Sequence, residues 1–199
     1  MTVTAGAHGD STSAAAGLGI QIGQDDDALQ IDAILARAET QSTATSSGIT
    51  GDDGHDQINN SGTMTIASEA ETDALGIGID IAGTVQATGI TIGATLTDTS
   101  STSSANAVGI DGGDQNDVIV NSGSMDVDAI ADTNNINASV TIGFAKDGLV
   151  AGAALARAET EGVANAVGID GGEGKNNITN DGTLDVKATS DVDSVAVSV

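Results

Sequence analysis

The chain has 199 residues, with 5 basic and 29 acidic side chains and a formal net charge of −24. This charge excludes a nucleic-acid binder that works by neutralising phosphates, and it disfavours binding to a bare anionic membrane. The sequence has no cysteine, proline, tryptophan or tyrosine and one phenylalanine, so disulfides and zinc–thiolate sites are excluded and any core must be thin. No apolar run has the length of a membrane span, so we expect no membrane insertion and place any export signal outside these residues.

The sequence repeats at an interval of about 60 residues. Similar segments begin at Gly48, Gly109 and Gly168, and the hexapeptide LARAET occurs at 35–40 and again at 155–160. A fixed period of this kind is typical of repeat arrays. We therefore treat the chain as one array fragment, 1–199, with units at approximately 3–63, 64–124, 125–183 and a partial unit at 184–199.

Each unit contains a run of alternating apolar residues that leads into a loop. The loops are predicted at 23–28, 82–89 and 143–148, because the units differ in length there, and Asp147-Gly148 is a hairpin-turn signal. A period of two predicts strands on both sides of the loop, with one face turned inward. The apolar positions before the loop include Leu18, Ile20, Ile22, Ile77, Ile79, Ile81, Ala138, Val140 and Ile142, and those after it include Leu29, Ile31, Ala33, Leu35, Ile90, Ile92, Ala94 and Leu96.

The segment DDDALQIDAILARAET at 25–40 also fits an amphipathic helix, with an acidic first turn and an apolar side. Its counterpart in the second unit, TGITIGATLTDTSS at 88–101, is rich in β-branched residues and glycine, which suit a helix poorly. Equivalent positions of an array share a fold, so we predict a strand in both units.

A glycine- and acid-rich loop follows this strand in each unit. The nonapeptides GDDGHDQIN (51–59), GGDQNDVIV (112–120) and GGEGKNNIT (171–179) resemble single copies of the G-G-x-G-x-D-x-U-x motif of RTX proteins, whose tandem copies form calcium-binding β-rolls. Glycines permit backbone angles that aim carbonyl oxygens at an ion, and a carboxylate adds charge. The resemblance implies calcium ligands at the first, third and sixth positions of each copy, which are Gly51, Asp53, Asp56, Gly112, Asp114, Asp117, Gly171, Glu173 and Asn176.

The loops also depart from the RTX pattern. The middle copy has Gln115 in place of the fourth glycine, and the third copy has Lys175 and Asn176 near its ligand position. RTX calcium lies between successive loops, whereas these copies are about 60 residues apart. Neighbouring loops can share ions only if each unit forms a single wide coil. Two alternatives therefore stay open, a calcium site and a purely structural tight turn.

An Asn-x-Gly turn comes next, at Asn60, Asn121 and Asn180. Asparagine tolerates positive φ and can hydrogen-bond along a stack of equivalent turns, so we predict a structural asparagine ladder. The strand after the turn has an apolar inner face, as at Met64 and Met125, and an outer face that is acidic in the third unit.

Together these elements predict an all-β chain that folds as a β-solenoid, either a β-helix or a β-roll, of about three units of roughly 60 residues. Such arrays resemble the stalk or passenger regions of giant secreted adhesins and autotransporter-like surface proteins. The resemblance implies an extracellular or cell-surface structural segment, a stalk or fibre stabilised by calcium if the loops stack. The alternative is a module that binds glycan or protein. The strand containing Val195, Val197 and Val199 has no following partner in the sequence, so we also expect self-association through strand edges.

The sequence does not favour an enzyme. His8 has no counterpart in the other units, and His55 is replaced by Asn116 and Lys175, so both are interpreted as solvated loop residues. Arg37 and Arg157 are interpreted as solvated strand residues near Glu39 and Glu159. An ice-binding face at Thr95, Thr97 and Thr99 is also disfavoured, because the threonine array does not extend to the other units.

Overall fold

The computed structural model of the chain describes residues 2–23, 29–84, 90–146 and 148–199. Over these ranges the chain is all-β, with ten strands and no helix, as the sequence predicted. No helix in these ranges is long and apolar enough to span a membrane. The strands are β1 (Thr2–Gly23), β2 (Leu29–Thr50), β3 (Gln57–Asn60), β4 (Thr63–Thr84), β5 (Ile90–Asp111), β6 (Val118–Asn121), β7 (Ser124–Ala145), β8 (Leu149–Asp170), β9 (Asn177–Asn180) and β10 (Thr183–Ser198).

The strands form three parallel sheets. Sheet A has the order β1-β4-β7-β10, sheet B the order β2-β5-β8, and sheet C the order β3-β6-β9. Partners are one repeat apart throughout, as in Thr2↔Thr63 and Ile58↔Ile119. Each complete repeat unit therefore contributes one strand to each sheet, and the sequence period is the register of the sheets.

The strand prediction for the ambiguous segment is confirmed from residue 29 onward, because β2 pairs with β5 along its length and begins with Leu29↔Ile90. Of the predicted loops, residues 23, 82–84 and 143–145 lie in β1, β4 and β7, so those parts of the loop prediction were wrong. Residues 24–28 and 85–89 of the first two loops lie outside the described residues. The Asp147-Gly148 turn signal lies partly outside the described residues, since Asp147 is not among them.

An apolar core fills the end of the molecule at which strands of all three sheets pack together. Met64, Ile66, Met125 and Val127 are almost completely buried there, and Ile119 joins them from sheet C. The outward residues of the same strands include charged side chains such as Asp126. The predicted apolar inner face after the Asn-x-Gly turn is therefore confirmed.

Sheets A and B differ in the half far from this core, where β1, β4 and β7 end and β2, β5 and β8 begin. The inward positions of β5 hold Thr95, Thr97 and Thr99, which are at most 2% exposed, while Ile92 and Leu96 face outward. Alternation predicted the strands correctly in this half. The large apolar residues of β5 and β7 in this half face outward, however, and the inward face of these two strands is polar.

Close approach of the two sheets explains this reversal. A Cβ added to Gly78 of sheet A would lie 2.6 Å from the Thr95 Cγ2 of sheet B, so large side chains have no room between the sheets. Polar inner side chains instead connect the sheets by hydrogen bonds. Asn137 Nδ2 donates to the Thr97 carbonyl at 2.9 Å, and Ser139 Oγ donates to the Thr95 carbonyl at 3.1 Å.

Candidate functional site: the stacked loops

The three glycine-rich loops lie directly on one another. The Asp114 amide donates to the Asp52 carbonyl at 2.9 Å, and the Glu173 amide donates to the Gly113 carbonyl at 3.0 Å. Asp53 and Asp114 also form a parallel bridge. Sharing of ions between loops requires that successive loops lie next to each other, and they do so because each unit forms one layer.

The second and fourth positions of the loops require an unusual backbone. Positive φ explains the glycine preference of the motif at these positions, and a Cβ on Gly113 would lie 1.8 Å from the Asp52 carbonyl oxygen of the loop beneath. The residues with φ between 62° and 141° are Asp52, Gly54, Gly113, Gln115, Gly172 and Gly174. The missing fourth glycine of the middle copy is thus accommodated by Gln115 in the same conformation.

The sixth position of the third loop shows which chemistry the loop accepts. The Asn176 Nδ2 donates to the carbonyls of Gly171, Gly172 and Glu173, at 2.5, 3.3 and 3.4 Å. Its Oδ1 accepts from the Asp117 amide at 2.8 Å. The loop therefore presents a cup of three carbonyl oxygens, and an N–H donor occupies that cup.

In the other two loops a carboxylate occupies the sixth position. Asp117 Oδ1 accepts from the Asp56 amide at 2.8 Å, in the same way as Asn176 Oδ1 accepts from Asp117. The second oxygens, Oδ2 of Asp56 and of Asp117, are buried and have no hydrogen-bond partner. Each of these oxygens has the same distance to the first glycine of its loop as Asn176 Nδ2 has in the third loop. A Cβ added to that glycine would lie 3.2 Å from Asp56 Oδ2, 3.0 Å from Asp117 Oδ2 and 3.1 Å from Asn176 Nδ2.

In the first two loops a carboxylate oxygen, which is an acceptor, therefore stands where the third loop has an N–H donor. A buried polar group without a partner is costly, and a cation or a proton would remove that cost. Asp117 is 1% exposed, so water reaches it poorly. Carboxylate and carbonyl oxygens are the ligands that calcium prefers, so the residues present fit this ion.

The remaining predicted ligands have different surroundings. Asp53, Asp114 and Glu173 are exposed at the third position. The first glycines permit close stacking, since a Cβ on Gly51 would lie 2.3 Å from the Gly112 carbonyl oxygen. In the described part of the chain no group of three or more histidine, cysteine, aspartate or glutamate side chains could hold a metal, so a site here depends on backbone carbonyls.

The asparagine ladder next to the loops is confirmed. Asn60 Nδ2 donates to Asn121 Oδ1 at 2.8 Å, and Asn121 Nδ2 donates to Asn180 Oδ1 at 2.7 Å. Asn60 Oδ1 also accepts from the Gly62 amide at 3.1 Å, which fixes the turn. The ladder holds the sixth-position residues at a constant spacing because it follows them by four residues in every unit.

Sequence reasoning missed a buried carboxyl group between the long sheets. Asp80 is 0% exposed and lies beside the Asp32 carboxyl and the Ala94 backbone. Burial raises the pKa of Asp80 above its ordinary value, and the neighbouring Asp32 carboxyl raises it further. The available signal was its place in the alternation, between the outward residues Ile79 and Ile81.

The outer face of sheet A concentrates acid. Burial raises the pKa of Glu71, and the nearby Asp73, Asp10, Asp132 and Glu69 raise it further. Burial likewise raises the pKa of Asp132, with Asp191, Asp73 and Asp193 adding to the effect. The folded array therefore brings like charges together on this face, which a divalent cation in solution would relieve.

The other candidate residues are distributed over the surface. His8 lies on β1, not in a loop, and its Nδ1 is 3.4 Å from a Glu69 carboxylate oxygen. His55 is an exposed loop residue whose ring Nδ1 accepts from the Asn116 amide at 3.2 Å.

The two arginines of the chain are exposed strand residues, as predicted. Arg157 Nη2 lies 2.8 Å from Glu159 Oε2, and Arg37 Nη2 lies 3.5 Å from Glu39 Oε2. The threonines considered for ice binding are inside the molecule and present no surface to a crystal lattice.

No protein-family model, no curated protein and no solved structure matches the chain. What the chain does is therefore inferred from the geometry of its loops, sheets and surfaces.

Proposed function

We propose that the chain is a structural segment of a large extracellular surface protein, folded as a β-solenoid in which each repeat unit is one wide coil. The observation that carries the proposal is the register, because every strand of a unit pairs one full repeat away in all three sheets. Such an array can be extended by adding units without changing its cross-section, which is what a fibre or stalk requires. The acidic surface and the millimolar calcium of extracellular media suit the same setting.

The dimensions favour a fibre or layer over a long reaching stalk. A strand of 22 residues is roughly 70 Å long, whereas one more unit adds only about 4.8 Å along the stack. The array is therefore wide and gains little length per unit. A parent protein would reach far from a surface only with many units.

Length added per unit tests the scaffold proposal. In a chain with ten further copies of residues 64–183 inserted in register, the array should lengthen by roughly 100 Å at constant width. Small-angle X-ray scattering or negative-stain electron microscopy would measure both dimensions. A particle that grows in width, or separate globules on a string, would contradict the proposal.

We further propose that calcium occupies the carbonyl cups of the first two loops. Asp56 and Asp117 supply the carboxylate oxygen in each cup, and the third loop holds the amide of Asn176 in place of an ion. Sites with one carboxylate and several carbonyls are weak, with a Kd on the order of 10⁻⁴–10⁻³ M, as in extracellular modules.

Thermal melting in millimolar calcium, compared with sodium at equal ionic strength, tests this site. Calcium should raise the Tm by several degrees, since millimolar calcium is about one- to tenfold over Kd and each of the two sites then stabilises the folded state by about 0.4–1.4 kcal/mol. Asp117→Asn should supply a donor, as Asn176 does, and keep the protein stable without calcium while losing part of the calcium effect. Asp117→Ala should lose both.

The control is Asp126→Ala, which removes an exposed carboxylate of the outer face of β7 and should keep the full calcium effect. Equal effects of calcium and sodium on the wild-type protein would contradict the site. The same conclusion would follow if Asp117→Ala behaved like Asp126→Ala, and the loops would then be turns only.

A further inference from the structure

Two exposed apolar surfaces lie on opposite faces of the molecule, in the half whose interior is polar. Band A is the set of outward residues of sheet A within 14–20, 75–81, 136–142 and 195–197, and it includes Leu18, which is 69% exposed. Band B is the set of outward residues of sheet B within 31–35, 90–96 and 149–155, and it includes Leu35, which is 67% exposed. Neither band is covered by another part of the described chain.

The size of the bands indicates an assembly and not a single strong contact. With strands about 4.8 Å apart and a rise of about 3.3 Å per residue, band A covers roughly 400 Å² and band B roughly 300 Å². A stable protein–protein contact buries about 800 Å² per partner. Each band alone falls short of this area, so a single band-to-band contact is weak, and a copy inside an assembly is held by two such contacts.

The shapes of the two bands complement each other. Band B has a row of alanines, Ala33, Ala94 and Ala153, beside a row of leucines, and these rows line a shallow groove. Band A has large residues along the row of Ile79 and Val140. A ridge of large side chains seats in a groove of small ones, so band A fits band B better than a second copy of itself.

The charges beside the bands favour the same pairing. Asp73 and Asp193 lie one outward position before band A, and Glu71 and Asp132 lie one outward position before them, so this edge of the band is acidic. Band A on band A would place acid against acid. The row next to band B holds Arg37, Asp98 and Arg157, and the two arginines also pair with Glu39 and Glu159. This edge is therefore less acidic than the edge of band A, so band A on band B brings less like charge together than band A on band A.

We propose that copies of this chain associate laterally, with band A of one copy packed on band B of the next. This interface involves the faces of the sheets, so it goes beyond the scaffold role and is separate from any pairing of strand edges. It is heterologous, which means that every assembly keeps one free band A at one end and one free band B at the other, so the association is open-ended. Lateral contacts of this kind would join arrays side by side into a bundle or layer.

The test uses three outward substitutions at residues of equal exposure. Ile77→Asp changes band A, Leu96→Asp changes band B, and Val118→Asp changes sheet C outside both bands, each at a residue that is 38% exposed. Sedimentation velocity of the wild type should show a weight-average mass that rises with concentration beyond that of a dimer. The Val118→Asp protein should behave like the wild type, and the two band variants should each be monomeric.

Mixing the two band variants separates the proposed pairing from other modes. The Ile77→Asp protein retains band B and the Leu96→Asp protein retains band A, so an equimolar mixture should form a dimer and nothing larger. Arg157→Glu in the Ile77→Asp partner should weaken that dimer about fivefold. Circular dichroism should show an unchanged strand spectrum for all variants, because the substituted side chains point to solvent.

Several results would overturn the proposal. A wild type that stays monomeric at all concentrations would do so, and so would band variants that associate as strongly as the wild type. A monomeric wild type that floats with phosphatidylcholine vesicles, and loses this property with Leu96→Asp, would assign the bands to a lipid surface instead. A monomeric mixture of the two variants, with the wild type associating, would reject the heterologous pairing.

Discussion

Single atoms determine how closely successive units can approach. A Cβ on Gly109 would lie 2.3 Å from the Gly168 carbonyl oxygen and 2.5 Å from the Met125 sulfur, so the glycine that begins each repeated segment is a packing requirement. At the Asn-x-Gly turn, by contrast, a side chain makes the contact between units. Asn121 is 0% exposed and its amide bonds both to Asn60 and to Asn180.

Removal of the ladder amide should be costly. Asn121→Ala leaves the buried amide of Asn60 unpaired, whereas the exposed Asn180 can turn to water, so the free energy of unfolding should fall by roughly 1–3 kcal/mol. Asn106→Ala is a matched control, because Asn165 Nδ2 donates to Asn106 Oδ1 at 2.9 Å in the same way but at an exposed site. Urea denaturation would compare the two variants, and similar small losses in both would argue against a structural ladder.

At this scale the sequence predicted the ladder and the stacking positions, because equivalent residues can be compared across three units. It did not predict that the cup of the third loop holds an N–H donor, because Asn176 was interpreted only as a weaker calcium ligand than aspartate. Asp80 was also missed. Its burial depends on which face of β4 is turned inward, and alternation alone does not specify that.

The inner face of β4, β5 and β7 changes its chemistry along the strand. Near sheet C the inner residues of β4 and β7 are apolar, such as Ile66 and Val127, and the outer residues include acids. Toward the far end the inner residues are threonine, asparagine and glycine, and the outer residues are apolar. Periodicity two predicted every long strand, but the inner face was wrong for the far half, because room for side chains between two sheets is a tertiary property.

Two neighbouring threonines of β5 give a prediction for this polar interior. Thr97 and Thr99 are both 0% exposed, but Thr97 Oγ1 has no partner, whereas Thr99 Oγ1 donates to Asn135 Oδ1 at 2.5 Å. Thr97→Val should be neutral or stabilising, since it replaces an unpaired hydroxyl by a methyl group of nearly the same shape. Thr99→Val should cost about 1–3 kcal/mol, since it leaves the amide oxygen of Asn135 unpaired.

Differential scanning calorimetry would measure both valine variants. A loss of stability in Thr97→Val as large as in Thr99→Val would mean that the inner hydroxyls act alike, for example through shared water. It would contradict the assignment of the sheet-to-sheet connection to specific side-chain hydrogen bonds.

At the scale of the whole molecule, the sequence predicted an all-β repeat array, and the structure shows that the repeat period is the strand register of three parallel sheets. The number of coils per unit was left open because alternation and turn signals are compatible with one, two or three coils in about 60 residues. Only the identity of the paired strands decides how many coils a unit forms. The pairing of Thr65 with Asp126, 61 residues along the chain, is one of many that fix a single layer per unit.

Cysteine cross-linking across this register tests the central claim most directly, since the chain has no cysteine of its own. Thr65→Cys with Asp126→Cys places two exposed thiols on adjacent strands about 4.8 Å apart, which is within the usual Cα separation of a disulfide. Mild oxidation should therefore produce an intramolecular disulfide, detected by non-reducing electrophoresis and peptide mass. Thr65→Cys with Asp132→Cys separates the thiols by roughly 20 Å along the same strands and should not cross-link. Cross-linking of the second pair but not the first, or of neither pair, would contradict one layer per unit.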